Sequence, residues 1–179
     1  QEFYGVKPDL ASYGKIMGGG LALGAVGGRE DILLHANPGI VGASKGTAIS
    51  GTLHGNPLSA AAGLACLKVL KDLNPYQQLR DHGQAVRTAF QEVLDRHNLG
   101  IRVIGRESWW QFFASDREPL DYADFLNADM AKTKALDMAW NREKVFVMPN
   151  TRRFVSVVHT DEELDVAVTA LDAACRAIV

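Results

Sequence analysis

Residues 13–20 read YGKIMGGG, which sets one lysine, Lys15, between Gly14 and a run of three glycines. A charged side chain in so cramped a stretch asks for a chemical reason. An amine held in a mostly desolvated loop gives up its proton more easily, and the neutral amine is the nucleophile that condenses with an aldehyde to a Schiff base. Glycines on both sides let a flat ligand lie close. The competing reading, a solvated loop lysine, is the commoner fate of lysines in general.

Residues 50–57, SGTLHGNP, weigh against that competing reading. Small and hydroxyl residues lead directly into a helix start, so backbone amides, the Thr52 hydroxyl and the positive end of the helix offer a place for a phosphate or other dianion. Taken alone, the stretch is equally well read as a capping turn that binds nothing. Amine and phosphate cradle together fit pyridoxal 5'-phosphate, whose aldehyde and phosphate are gripped separately.

Outward from these two stretches, most of the 17 glycines fall before Ala60, which divides a loop-rich first third from a regular remainder. LASYGK and LGAVGG read as short buried strands leading into loops, with REDILLHA a short helix. Asn56 as N-cap and Pro57 at the first helical position predict a helix over 57–71. Asn74 and Pro75 repeat that signal for a second long helix, expected to link the two regions, with Leu79, Val86, Phe90, Val93 and Leu94 on one face. IRVI, WQFFA, VFVM and FVSVV read as strands, and 122–140 as one helix. Thr160 and Glu163 form a capping box ahead of a last helix whose stripe is Leu164, Val168, Leu171, Cys175 and Ile178. The tail is thus an α+β unit.

A chain of 179 residues, 47% hydrophobic and 22% charged, can bury a core. A formal net charge of -2, with no basic cluster interleaved with aromatics, argues against nucleic acid. No apolar run approaches the roughly 20 residues a bilayer span needs, so no membrane partner is expected. Cys66 and Cys175 read as reduced thiols of a cytoplasmic protein, and no ligand spacing suggests a metal. The glycines follow GK instead of preceding it, which excludes a P-loop. The chain opens at Gln1 in what reads as the middle of a folded segment, so a fragment is expected.

PDLASYGKIMGGGLALGAVGGREDIL followed by GTLHGNPLSAAAGLACL closely resembles the class III aminotransferases, pyridoxal-phosphate enzymes of fold type I, nearest the subgroup around glutamate-1-semialdehyde aminomutase. VFVMPNTRRFVSVVHTDEELD is similar to the family's C-terminal domain. The resemblance implies an α/β fold: residues 1–74 as the C-terminal portion of the large cofactor-binding domain, and 75–179 as a linking helix and an α+β small domain. It implies that Lys15 carries pyridoxal 5'-phosphate as a Schiff base and moves the substrate proton. Gly51 and Thr52 would hold the phosphate in the neighbouring protomer's site, which requires a homodimer. The acidic partner of the pyridine nitrogen belongs to an earlier half of the family's chain, so these residues alone are expected to be incomplete for catalysis. The implied activity is transfer of an amino group between an amino acid or amine and a 2-oxo acid. The alternatives are an intramolecular aminomutase, a racemase or decarboxylase starting from the same Schiff base, or a non-catalytic scaffold that kept the fold.

There are departures. Ala22 stands where the family often has proline. His54 adjoins the phosphate threonine, where it either touches the phosphate or is partly buried and satisfied by backbone groups. NTRRF stands where aminomutase-like relatives often carry a Phe-Glu pair, and Arg152 or Arg153 is a candidate for a bidentate pair with a substrate carboxylate. Solvated arginines are the competing reading. Trp109 or Trp110 is a candidate wall of the substrate pocket, with core packing as its alternative, and His159 is expected to be structural.

Overall fold

Side-chain caps set where several helices of this chain begin. In the computed structural model, which describes residues 1–47 and 49–178, the chain divides into two compact units at Asn74 and Pro75.

In the first unit, β1 (Leu10–Tyr13) pairs antiparallel with β2 (Ala25–Gly28), Leu10 opposite Gly28 and Tyr13 opposite Ala25. Arg29 closes the ribbon: its amide donates to the Asp9 carbonyl and its Nη1 to Asp9 Oδ1, both at 2.9 Å. Two short helices follow, α1 (Glu30–Leu33) and α2 (Pro38–Val41), the second capped by the Asn37 side chain. α3 (Pro57–Leu73) starts as predicted, with Asn56 Oδ1 accepting from the Leu58 and Ser59 amides and Pro57 at the first position.

Two expectations fail here. The strands are not buried: Leu10, Tyr13 and Val26 are 42–52% exposed, because a two-stranded ribbon has no facing layer to cover it. Asn74 does not cap the next helix. It ends α3 in the left-handed conformation, φ 42°, which asparagine tolerates, and α4 (Tyr76–Arg96) starts after Pro75 without a side-chain cap.

The second unit holds the buried apolar core found among the described residues, between Val86 and Cys175. β3 (Ile101–Arg106), β4 (Trp109–Ala114) and β5 (Arg153–Phe154) form an antiparallel sheet in that order. α4 lays Val86, Phe90, Val93 and Leu94 into the core. Phe90 meets Trp110 at 4.9 Å and Trp140 at 5.3 Å between ring centroids, both edge to face. Burial of each such side chain contributes roughly 1.5–3 kcal/mol.

The single helix expected over 122–140 is two, α5 (Tyr122–Leu126) and α6 (Met130–Arg142). Asp129 breaks it: its side chain caps α6 at the Lys132 amide, while its own amide donates to the Ala114 carbonyl at the end of β4. VFVM is not a strand, because the Asn141 carboxamide takes both backbone groups of Val147, at 2.7 and 3.0 Å, in place of a ladder. FVSVV contributes only the first residue, Phe154, to β5. The Thr160–Glu163 box opens α7 (Asp161–Arg176) as expected, with Leu171 and Cys175 fully buried. No helix among the described residues is long and apolar enough to cross a membrane.

Burial, with the Asp172 charge adding, pushes the Cys175 thiol up to about 11. Iodoacetamide at pH 8 is therefore expected to leave Cys175 unmodified in the folded protein and to alkylate it after denaturation, read by peptide mass spectrometry. Rapid labelling of the native state would contradict the burial of α7.

Candidate active site

Lys15 opens a 3-10 turn, Lys15–Gly18, just after β1. Its φ is 55°, left-handed for a residue with a Cβ, a conformation that costs about 1–2 kcal/mol. The turn lies against α3, where Cys66 Sγ donates to the Ile16 carbonyl at 3.1 Å. Lys15 itself is exposed. The expected desolvation is thus not supplied by the described residues of the first unit. Among the described residues the amine has no hydrogen bond or ion pair.

Gly51 and Thr52 are exposed in a turn ahead of α3. The amides of Thr52, Leu53 and Gly55 donate to no protein acceptor among the described residues, whereas His54 N donates to the Gly51 carbonyl and Asn56 N to that of Leu53. The positive end of α3 is not free, contrary to the sequence reading. Asn56 takes the Leu58 and Ser59 amides, Ala60 N donates to the Asn56 carbonyl, and Pro57 has no N–H. What remains for an anion is the Thr52 hydroxyl and the turn amides. Gly51, His54 and Gly55 line a cleft of about 420 Å³ with Ala22, Leu23 and Gly24. His54 is exposed, not partly buried. Lys15 and Thr52 do not line this cleft, and no hydrogen bond joins them among the described residues.

In the second unit, a mostly apolar cleft of about 450 Å³ is walled by Phe90, Trp110, Trp140 and Leu164, with Arg152 and Arg153 beside them. Strand alternation puts Trp110 and Phe112 on the face of β4 that meets α4 and α6. Trp109, half-buried, does not line the cleft. The two arginines part company for the same reason. Arg152 is exposed. Arg153 turns inward, its Nη2 2.5 Å from Asp137 Oδ1 and donating to the Met148 carbonyl at 3.3 Å. Its Cζ lies 5.0 Å from the Trp110 ring and 5.1 Å from Phe112, so aromatic faces meet the buried Nε and Nη1, which lack hydrogen-bond partners. Burial raises the Asp137 carboxyl above its ordinary value, against the pull of Arg153 and of the Asn150 amide. His159 is tied locally, its Nδ1 accepting from the Ser156 amide at 3.3 Å.

Sequence reasoning missed Asp137 and the glycine and cysteine of α3 beneath Lys15, and left open which of Trp109 and Trp110 faces a cleft; Trp110 does. Asp137 left a signal, a carboxylate on the apolar face of a helix, and so did Gly63, a glycine inside a helix that alanine would stabilise.

Fold and site together define a class, the later part of a fold type I transferase. The chain superposes over 99% of its length on an omega-transaminase from Sphaerobacter thermophilus, with a TM-score of 0.87 and 28% identity, covering 40% of that chain. Over 96% of its length it matches a beta-phenylalanine aminotransferase from Variovorax paradoxus, TM-score 0.82 and 26% identity, covering 39% of that chain. The family described as Aminotransferase class-III matches residues 1–171, and the chain belongs to it. Pyridoxal 5'-phosphate is that family's cofactor. A solved transaminase with PLP bound shares the fold, with a TM-score of 0.81 and 23% identity over 99% of this chain and 40% of that one. Among curated relatives, the glutamate-1-semialdehyde 2,1-aminomutases of Chloroherpeton thalassium and Chlorobaculum parvum are 34% and 36% identical over 173 residues. Each match covers 95% of this chain and 39% of the relative, so the chain spans about two fifths of their length.

The buried ion pair yields a stability prediction. Asp137→Ala leaves Arg153 buried and uncompensated, and is expected to destabilise the second unit by about 3–5 kcal/mol in urea unfolding. Replacing both partners by apolar residues (Asp137→Leu with Arg153→Met) should recover most of that loss. An Asp137→Ala protein as stable as the parent would refute the pair's role.

Proposed function

We propose that these residues belong to a pyridoxal 5'-phosphate-dependent aminotransferase that moves an amino group between an amino acid or amine and a 2-oxo acid. The observation that carries the reading is the amine of the exposed Lys15, unpaired among the described residues and fixed on a glycine turn backed by α3. The residues present fit the cofactor: an amine to bond an aldehyde, and a hydroxyl with three amides that have no acceptor among the described residues, for a phosphate.

When bound, pyridoxal phosphate supplies an aldehyde that bonds amines and a ring that withdraws electrons from a substrate's Cα. Lys15 Nζ is the attachment point and the base that holds the substrate's proton. Thr52 Oγ1 and the Thr52, Leu53 and Gly55 amides would be the donors to the phosphate oxygens, with Gly51 leaving that approach open. Arg152, exposed beside the aromatic cleft, is the group available to a substrate carboxylate, because Arg153 is neutralised by Asp137. Trp109 has no such support.

The working unit we propose is a homodimer that also contains the parts of the relatives these residues do not cover, with Gly51 and Thr52 serving the neighbouring protomer's Lys15. Two observations support it: no hydrogen bond joins Lys15 to Thr52 among the described residues, and α3 leaves Leu58, Leu64, Leu67, Val69 and Leu73 46–69% exposed. A cytoplasmic location accords with Cys66 and Cys175 both being free.

An intramolecular aminomutase is the second reading, favoured by the names of the relatives at 34–36% identity. Product analysis with several amines, with and without pyruvate or 2-oxoglutarate, separates the two: transfer requires the acceptor and rearrangement does not. A scaffold that had lost the cofactor would stay colourless at saturating pyridoxal phosphate.

In the full-length protein, borohydride reduction is expected to fix the cofactor at Lys15, and Lys15→Ala to abolish both that adduct and turnover. Unchanged activity in Lys15→Ala would refute the assignment. Thr52→Ala is expected to weaken cofactor retention by about 1.5–3 kcal/mol, the value of a hydrogen bond to a charged group, measured by equilibrium dialysis. Equal affinity removes Thr52 from the site.

A further inference from the structure

We propose that Gly63 and Cys66 of α3 are positioning residues for Lys15: they seat the two carbonyls that follow it and so hold its backbone left-handed and its amine pointing outward. This rests on the reading of Lys15 as the attachment point, and adds to it the groups that aim it.

A left-handed residue with a Cβ persists only where its surroundings over-determine it. Around Lys15 three contacts do so. The Ile16 carbonyl accepts from the Gly19 amide at 3.0 Å and from Cys66 Sγ at 3.1 Å, so both the turn and the helix hold one oxygen. The Met17 carbonyl sits close to where a side chain at position 63 would be: a Cβ on Gly63 would meet the flexible Leu23 Cδ2 first, at 2.5 Å, and the Met17 carbonyl oxygen, part of the backbone, at 2.8 Å. Gly19, at φ 58°, opposes α3 from the other side, where a Cβ would meet the Ala62 carbonyl at 2.7 Å. Gly18 is buried in this contact while Lys15 and Ile16 remain exposed. The turn is therefore fixed by its backbone against α3, and the lysine is the part left free to reach a ligand.

Any push on the Met17 carbonyl is transmitted through two peptide planes to the Cα–Cβ direction of Lys15. Loss of the Cys66 donor leaves the Ile16 carbonyl on one hydrogen bond and lets the turn rock on the helix. The Cys66 change touches neither the amine, the Thr52 turn nor the cleft in the second unit, so its effect on Lys15 is one of orientation, whereas a side chain at position 63 also presses on Leu23, which lines the cleft beside Gly51 and His54.

The test uses the full-length protein stripped of cofactor. Pyridoxal phosphate is added, the reaction is quenched with borohydride at intervals, and the Lys15 peptide is quantified by mass spectrometry. The pH midpoint of the bound cofactor's absorbance and the melting temperature are recorded alongside. Cys66→Ala is expected to slow attachment about fivefold, the effect of one neutral hydrogen bond, and to shift the pH midpoint with the melting temperature unchanged. Cys66→Ser, which keeps a donor, restores both. Gly63→Ala slows attachment further; if it fails to fold, the Cys66 pair decides alone. Attachment at the parent rate with the parent pH midpoint in Cys66→Ala overturns the proposal, and so does a Cys66→Ser protein as impaired as Cys66→Ala. A parent protein that forms no Lys15 adduct instead refutes the cofactor reading beneath it, a distinct result.

Discussion

A backbone carbonyl can press against a helix only where the helix lacks a side chain, and α3 meets the Lys15 turn at such a place. The Met17 carbonyl occupies the space a Cβ would take at Gly63, and one turn further along Cys66 reaches the neighbouring Ile16 carbonyl. Helical glycine costs about 0.8–1 kcal/mol against alanine, and the left-handed lysine costs a comparable amount. Both are offset by one close contact that gives the turn a single orientation. The rest of the site in the first unit inherits its frame from α3, since the Thr52 turn leads directly into the same helix at Asn56.

The second unit obtains its order differently, from bulk. Phe90, Trp110, Phe112 and Trp140 form a contiguous aromatic cluster, and strand alternation carries the face of β4 that bears Trp110 and Phe112 into it. Two adjacent arginines then meet opposite fates. Arg153 is drawn across the ring faces, and a charge so desolvated needs a counter-charge, which α6 supplies from Asp137. Arg152, one residue away and on the other side of the chain, stays in water. Proximity in sequence gave these residues equal standing as carboxylate ligands; a buried carboxylate on another helix separates them.

The two units also differ in how much apolar surface they cover. The second has a closed core, while α3 and the β1–β2 ribbon present leucine, valine and tyrosine outward. That contrast agrees with a match to about two fifths of the relatives' length.

Local chemistry made much of this legible in the sequence. The Asn56–Pro57 start of α3, the Thr160–Glu163 box of α7, the apolar stripe of α4 and the glycine-flanked Lys15 depend on hydrogen bonds and side-chain periodicity within a few residues, so the order of residues fixes them. The breaks and pairings depended on partners far along the chain. Asp129 ends a helix because its amide reaches Ala114; Val147 forgoes a strand because Asn141 takes its backbone; Asn74 turns left-handed to close α3 instead of opening α4. In the candidate site, the residue types proposed to hold a cofactor were readable as types. Which arginine stays free, which tryptophan faces the cleft and what aims Lys15 were decided only when distant backbone and side chains came within hydrogen-bonding range, because direction and burial are properties of the packed chain.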